Sequence, residues 1–112
     1  MNTVDLVFVG FNRRVAALNR RTGEIVWEWK ASNGASYVSL LLDGGMLVVS
    51  VSGYMYGLDA ATGRQLWYNP MKGFGIGVTA LVSVNGMSSN PMTAAAAEQA
   101  AQQSSQTSTT PT

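Results

Sequence analysis

One segment of this chain occurs twice, forty residues apart and without a gap. The first copy runs Val15-Ala16-Ala17-Leu18-Asn19-Arg20-Arg21-Thr22-Gly23-Glu24-Ile25-Val26-Trp27. The second runs Met55-Tyr56-Gly57-Leu58-Asp59-Ala60-Ala61-Thr62-Gly63-Arg64-Gln65-Leu66-Trp67. Leu18 falls on Leu58, Thr22 on Thr62, Gly23 on Gly63 and Trp27 on Trp67. The same offset carries Val9 onto Val49, Val38 onto Val78 and Leu41 onto Leu81. A repeating unit of this size buries its apolar face against a copy of itself.

The local chemistry within each copy is that of strands and tight turns. Leu6 to Phe11, Tyr37 to Leu42, Met46 to Val51 and Val78 to Val84 are rich in β-branched and aromatic residues. Asp43-Gly44-Gly45 sits between two apolar runs and reads as a hairpin turn. Asn19 to Gly23 and Asp59 to Gly63 read as equivalent turns. In them the Asn19 or Asp59 side chain accepts backbone N–H groups two residues on, and the glycine takes the left-handed position. From Glu24 to Lys30 the residues alternate, which places Ile25, Trp27 and Trp29 on one face and Val26, Glu28 and Lys30 on the other. A strand-rich repeat of this length predicts an all-β chain of four-stranded propeller blades.

Leu58-Asp59-Ala60-Ala61-Thr62-Gly63-Arg64, with Trp67 three residues on, resembles the tryptophan-docking motif of the PQQ-like, quinoprotein-type β-propeller repeat family. Gly53 to Tyr56 ahead of it fits the same pattern, and the first copy matches with Asn19 in place of the aspartate. The resemblance spans residues 4–84. It implies a structural role for the motif: Trp27 and Trp67 pack between neighbouring blades, on turns shaped by Gly23, Gly63, Asp59 and Thr62. The dehydrogenases that the repeat resembles are longer chains with a quinone, a calcium site, a catalytic aspartate and often a vicinal cysteine pair. This chain has no cysteine and offers no matching set of ligands, so no cofactor and no metal site is expected.

The strands sum to two blades, but in an order that leaves the first blade incomplete. With strands A to D counted from the innermost outward, residues 37–42, 46–52, 54–60 and 64–69 supply a full set. Residues 5–11, 14–19 and 24–30 supply only B, C and D, and 77–84 supply a spare A. The order is B-C-D, A-B-C-D, A: two blades, circularly shifted. Propellers typically close with about 4–8 blades, and an open pair exposes a strand edge and apolar faces. The expected partner is therefore the chain itself, in a head-to-tail ring where each copy hands its spare strand to the next. A ring of about four chains is favoured over one of three, by the eight-bladed size frequent among the proteins it resembles.

Composition narrows the function classes. The chain has 112 residues, with seven Lys and Arg against six Asp and Glu. That balance gives no basic footprint for nucleic acid or an anionic membrane. Only 12% of residues are charged, against a typical ~25%, which suits a molecule that hides surface in an assembly. Histidine and cysteine are both absent, so the commonest general base, metal ligand and thiol nucleophile are missing, and no enzyme is expected. No apolar run reaches the roughly 20 residues of a membrane span, and no basic segment precedes an apolar one at the start. A cytoplasmic location is expected.

Composition also divides the chain. Residues 1–87 form the two-blade unit, and 88–112 is a low-complexity stretch with one charge, Glu98. It reads as a disordered tail, with a short helix over Thr93 to Gln103 as the alternative. In propellers that the repeat resembles, the D–A and B–C loops meet at one mouth of the central channel. That places Arg14, Tyr54, Lys72 and Phe74 at a tentative binding surface. Gly73 to Gly77 resembles a phosphate loop only in its glycines and reads as a connection between blades. Two functions remain open: a non-enzymatic, self-assembling scaffold for an unknown protein, or a small-molecule module binding a quinone or sugar at the channel mouth.

Overall fold

The computed structural model describes residues 2–87; the tail expected from Ser88 onward lies outside the described residues. Two antiparallel sheets dominate them. Strands β1 (Leu6–Phe11), β2 (Arg14–Asn19) and β3 (Ile25–Lys30) pair in that order. Strands β4 (Val38–Asp43), β5 (Met46–Val51), β6 (Tyr54–Asp59) and β7 (Gln65–Asn69) form a four-stranded sheet, also in chain order. A two-residue hairpin, β8 (Val82–Ser83) and β9 (Gly86–Met87), follows. Apart from a short 3-10 turn at Thr3–Asp5, these residues are all-β. None of their helices is long and apolar enough to cross a membrane.

The turns explain the meander. The β1–β2 turn has Asn12 and Arg13 at φ 55° and 69°, and the β5–β6 turn has Ser52 and Gly53 at 53° and 103°. Two successive positive φ values give the turn whose twist matches that of a β-hairpin. Arg13 is held in this conformation by its neighbours. The Ala31 N–H donates to the Arg13 carbonyl at 2.9 Å, and Arg13 Nε donates to the Ala31 carbonyl at 3.1 Å.

The core lies between the two sheets. Sheet two contributes Leu47, Val49, Val51, Tyr56 and Leu58, all fully buried, and sheet one contributes Val15 with Phe8, Trp27 and Trp29. Burying each large apolar side chain contributes about 1.5–3 kcal/mol. Trp29 meets the Tyr56 ring edge-on at 4.7 Å between centroids, and Tyr68 stands 4.9 Å from Tyr56 on the other side. The Tyr56 hydroxyl accepts the Asn33 N–H at 2.9 Å and donates to the Asn33 carbonyl at 3.0 Å. One aromatic residue thereby fills the core and fixes the segment joining the sheets.

Two expectations are corrected. The strand expected over 77–84 is reduced to β8. A strand is held by its ladder, and the partner available here is the two-residue β9. Residues 78–81 instead lie on the outer side of sheet two, where Ser39 Oγ donates to the Thr79 carbonyl at 2.9 Å and Ser50 Oγ to Thr79 Oγ1 at 2.7 Å. The second correction concerns Ile25. A register shift at Ala17/Leu18 pairs Ile25 with Leu18 and Trp27 with Ala17. The bulge turns Ile25 away from Trp27 and Trp29, onto the opposite face beside Glu28 and Lys30.

Candidate functional site

The two repeated turns are built alike, bond for bond. Asn19 Oδ1 accepts the N–H groups of Arg21 and Thr22, and Asp59 Oδ1 accepts those of Ala61 and Thr62. Thr22 Oγ1 and Thr62 Oγ1 accept the N–H groups of Glu24 and Arg64. The N–H groups of Gly23 and Gly63 donate to the carbonyls of Asn19 and Asp59, both at 2.7 Å, and both glycines have φ 79°. Asparagine serves as well as aspartate in this turn because only the acceptor oxygen is used.

The surroundings of the two turns differ. Trp27, on sheet one, reaches across to the turn of sheet two. Its Nε1 donates to the Ala60 carbonyl at 3.0 Å, and its ring covers Gly63. Trp67 lies within its own sheet, where its ring occupies the space beside Gly57, and is 39% exposed. Among the described residues nothing lies over Gly23: a Cβ there would meet no atom within 4 Å.

Among the described residues, the outer face of sheet one is also uncovered. Val9, Phe11, Arg14, Ala16, Leu18 and Ile25 line a cavity of about 570 Å³ on it, edged by Glu28 and Lys30. Phe11 and Ile25 are 65% and 59% exposed. The residues at the matching positions of sheet two, Val49, Val51, Tyr56 and Leu58, are buried against sheet one. Among the described residues, the β1 edge of this sheet carries no further strand.

The loops at one end are joined in series. The Asn12 N–H donates to the Ser36 carbonyl, and the Ala35 N–H to Ser52 Oγ. The Ser52 N–H donates to the Tyr37 carbonyl, and the Gly77 N–H to the Ser52 carbonyl. Ser52 is buried and links three segments. The expected mouth residues divide between two places. Arg14 lines the cavity on sheet one. Phe74 lines another, of about 390 Å³, with Gly53, Met55 and Met71. Tyr54 is half-buried against the core, and Lys72 is exposed on the β7–β8 connection. Arg14 and Phe74 therefore do not converge.

The carboxylates do not gather. Asp59 is engaged in its turn and Asp43 accepts a hydrogen bond from Asn85 Nδ2. Among the described residues no three Asp or Glu side chains are placed to share a metal ion.

Residues 3–108 match the PQQ-like repeat family described as outer membrane protein assembly factor BamB. The chain belongs to this family. A relative also named outer membrane protein assembly factor BamB, from Kangiella koreensis, is 35% identical over 77 residues. The match covers 58% of this chain and 20% of the relative. The chain thus spans about a fifth of the length of the curated BamB that it matches. Membership accounts for the gapless repeat and for the all-β sheets that it produces.

Proposed function

We propose that this chain is a protein-interaction scaffold of the β-propeller type, without catalytic activity or a cofactor of its own. The observation that carries the reading is the state of sheet one. Among the described residues it is packed on one face and open on the other, and its β1 edge has no further strand. A blade in that state has a neighbour on one side only. The name of its relative, an outer membrane protein assembly factor, supports a role in assembly rather than in turnover of a small substrate.

The finer reading is self-assembly. The two sheets and the segment 78–83 are two blades' worth of strands, circularly shifted, and copies in a head-to-tail ring would share the strands out. By the forty-residue offset, Val78 to Ser83 of one copy would lie antiparallel to β1 of the next. Val78 would then stand opposite Phe11 and Ser83 opposite Leu6, as Val38 stands opposite Val51 and Asp43 opposite Met46 in sheet two. About four copies would complete a propeller of the larger common size.

Static light scattering of the full chain tests this reading. A mass near an integral multiple of 11.9 kDa, lost when residues 77–112 are deleted, is the expected result. A monodisperse monomer, or a deletion variant that keeps the oligomeric mass, would overturn it. Location is tested by fractionation. The sequence favours the cytoplasm, whereas the name of the relatives favours a site of outer membrane protein assembly, and recovery in the cytoplasmic fraction supports the former.

A further inference from the structure

The strands run antiparallel in chain order, so the molecule has two ends, and its charges are sorted between them. At one end lie the turns at Asn12 and Ser52, the segment 31–37 and the connection that leaves β7. Arg13 is in the first of these turns. Arg14 and Lys30 stand opposite each other on β2 and β3 beside it, and Lys72 is on the connection. Among the described residues, no Asp or Glu lies in the turns or connections of this end. The turns of the other end hold Asp5, Glu24, Asp43 and Asp59, interspersed with Arg20, Arg21 and Arg64. Glu28, opposite Ala16 within the strand, is the one carboxylate beside Arg14 and Lys30 among the described residues. A net charge of +1 for the chain thus conceals an end with four cations against one carboxylate.

The same end bears apolar side chains held out from the fold. Phe74 and Ile76 are 78% and 79% exposed, and Tyr37 is 53% exposed. The backbone gathers them around Ser52. The Ser52 N–H donates to the Tyr37 carbonyl, and the Gly77 N–H donates to the Ser52 carbonyl. A Cβ on Gly53 would stand 3.3 Å from the Gly75 carbonyl oxygen. The loop that carries Phe74 is shaped by its own backbone: Met71, Gly73 and Gly75 have φ 52°, 88° and 86°, and the Phe74 N–H donates to the Met71 carbonyl at 3.0 Å. A side chain presented on a fixed loop loses less freedom on binding. The cations lie close along the chain. Lys72 is two residues from Phe74, and the bond from the Asn12 N–H to the Ser36 carbonyl sets the turn of Arg13 beside Tyr37.

We propose that this end docks an acidic peptide segment that also carries apolar side chains. Tyr37, Phe74 and Ile76 take the apolar side chains, and the cations around them take the carboxylates. Arg13, Arg14, Lys30 and Lys72 are spread over the end rather than gathered in one pocket, so they act as a field that steers and orients an acidic partner. Nucleic acid fits this end less well. A few cations interrupted by apolar side chains supply few phosphate contacts, and the carboxylates of the opposite end repel a long polyanion. The inference rests on the protein-interaction reading above and names the chemistry of the partner.

The test titrates the full chain into a short fluorescent peptide of Asp, Glu, Leu and Phe and follows anisotropy. A second peptide with Asn and Gln in place of the acids, and a single-stranded oligonucleotide, serve as comparisons. The acidic peptide should bind, and should bind several-fold more weakly when salt is raised from about 50 mM to about 300 mM. The amide peptide should bind about tenfold more weakly or less. Arg14→Gln combined with Lys72→Gln should weaken the acidic peptide about tenfold, and Phe74→Ser should weaken both peptides. Arg20→Gln combined with Arg21→Gln removes the same charge from the opposite end and should change affinity by less than about twofold. All these side chains are exposed, and circular dichroism checks that each variant keeps its β spectrum. Equal binding of the two peptides, or equal losses in the two double variants, overturns the acidic partner and leaves the protein-interaction reading standing. Tighter binding of the oligonucleotide than of the acidic peptide overturns the choice of a peptide. A parent that binds neither peptide overturns the inference, and the protein-interaction reading falls with it only if that parent is also monomeric by light scattering.

Discussion

Trp27 lies against Gly63 so closely that a Cβ at Gly63 would sit 2.5 Å from Cε3 of the indole. Only glycine answers both demands of that position, a φ of 79° and no side chain beneath the ring. A side chain from one sheet is thereby clasped by the backbone of the other, with the indole N–H bonded to Ala60.

Gly63→Ala and Gly23→Ala should therefore differ although their turns are alike. Both variants incur the left-handed strain, about 1 kcal/mol or slightly more. Gly63→Ala also displaces the Trp27 ring, at a further cost of about 1–3 kcal/mol. Urea denaturation at low protein concentration measures the difference. Equal losses would show that the ring contributes nothing at Gly63.

Trp27→Ala should destabilise the chain by about 3 kcal/mol, through lost packing and an unpaired Ala60 carbonyl. Trp67→Ala should cost a dilute chain clearly less, because the ring rests on its own sheet and is partly exposed. The order of the two melting temperatures checks this, and a reversed order would contradict the placement of both side chains.

Tyr56→Phe removes one oxygen from a fully buried residue. The Asn33 N–H and carbonyl then lose their partner, and the expected cost is about 1–3 kcal/mol. Faster amide exchange in residues 31–36 should accompany it, since the hydroxyl ties that connection to the core. An unchanged exchange pattern would show that the connection is held by other contacts.

Ser50→Ala should loosen residues 78–81 on the outer side of sheet two while leaving the sheet itself intact. The hydroxyl reaches Thr79 Oγ1 at 2.7 Å. Limited proteolysis at residues 71–81 should quicken, with little change in the global unfolding midpoint. A large drop in that midpoint would mean that Ser50 acts on the core instead.

Much of this architecture was legible because it depends on local chemistry. The turns at Asn19 and Asp59 follow from an acceptor side chain followed by threonine and glycine, and the forty-residue offset places them at equivalent points. The face of Ile25 was not legible, because a bulge at Ala17/Leu18 depends on how two strands settle against each other. Nor was the fate of 78–81, whose strand character needs a partner edge that the residues themselves do not supply. The core role of Tyr56 was not legible from the repeat, because its counterpart forty residues earlier is Ala16. That departure from the repeat was the available signal: a large aromatic on one side of the internal interface, a small residue on the side left open. The separation of Arg14 from Phe74 follows from the stacking of the sheets, which periodicity alone leaves undefined.

Both sheets carry a register shift at the same repeat position, Ala17/Leu18 in one and Gly57/Leu58 in the other. A bulge bends and twists the strand it touches, which spoils that strand as a template for lateral pairing. β3 and β7, the last strands of their sheets, are both paired through such a shift. β3 also presents Glu28 and Lys30, and β7 runs into Pro70, which has no N–H to offer. β1, in contrast, pairs without interruption from Leu6 to Phe11. The two edges are thereby unlike: the rim is blunted against the edge-to-edge stacking that seeds fibrils, whereas the β1 edge keeps a regular, unbroken register.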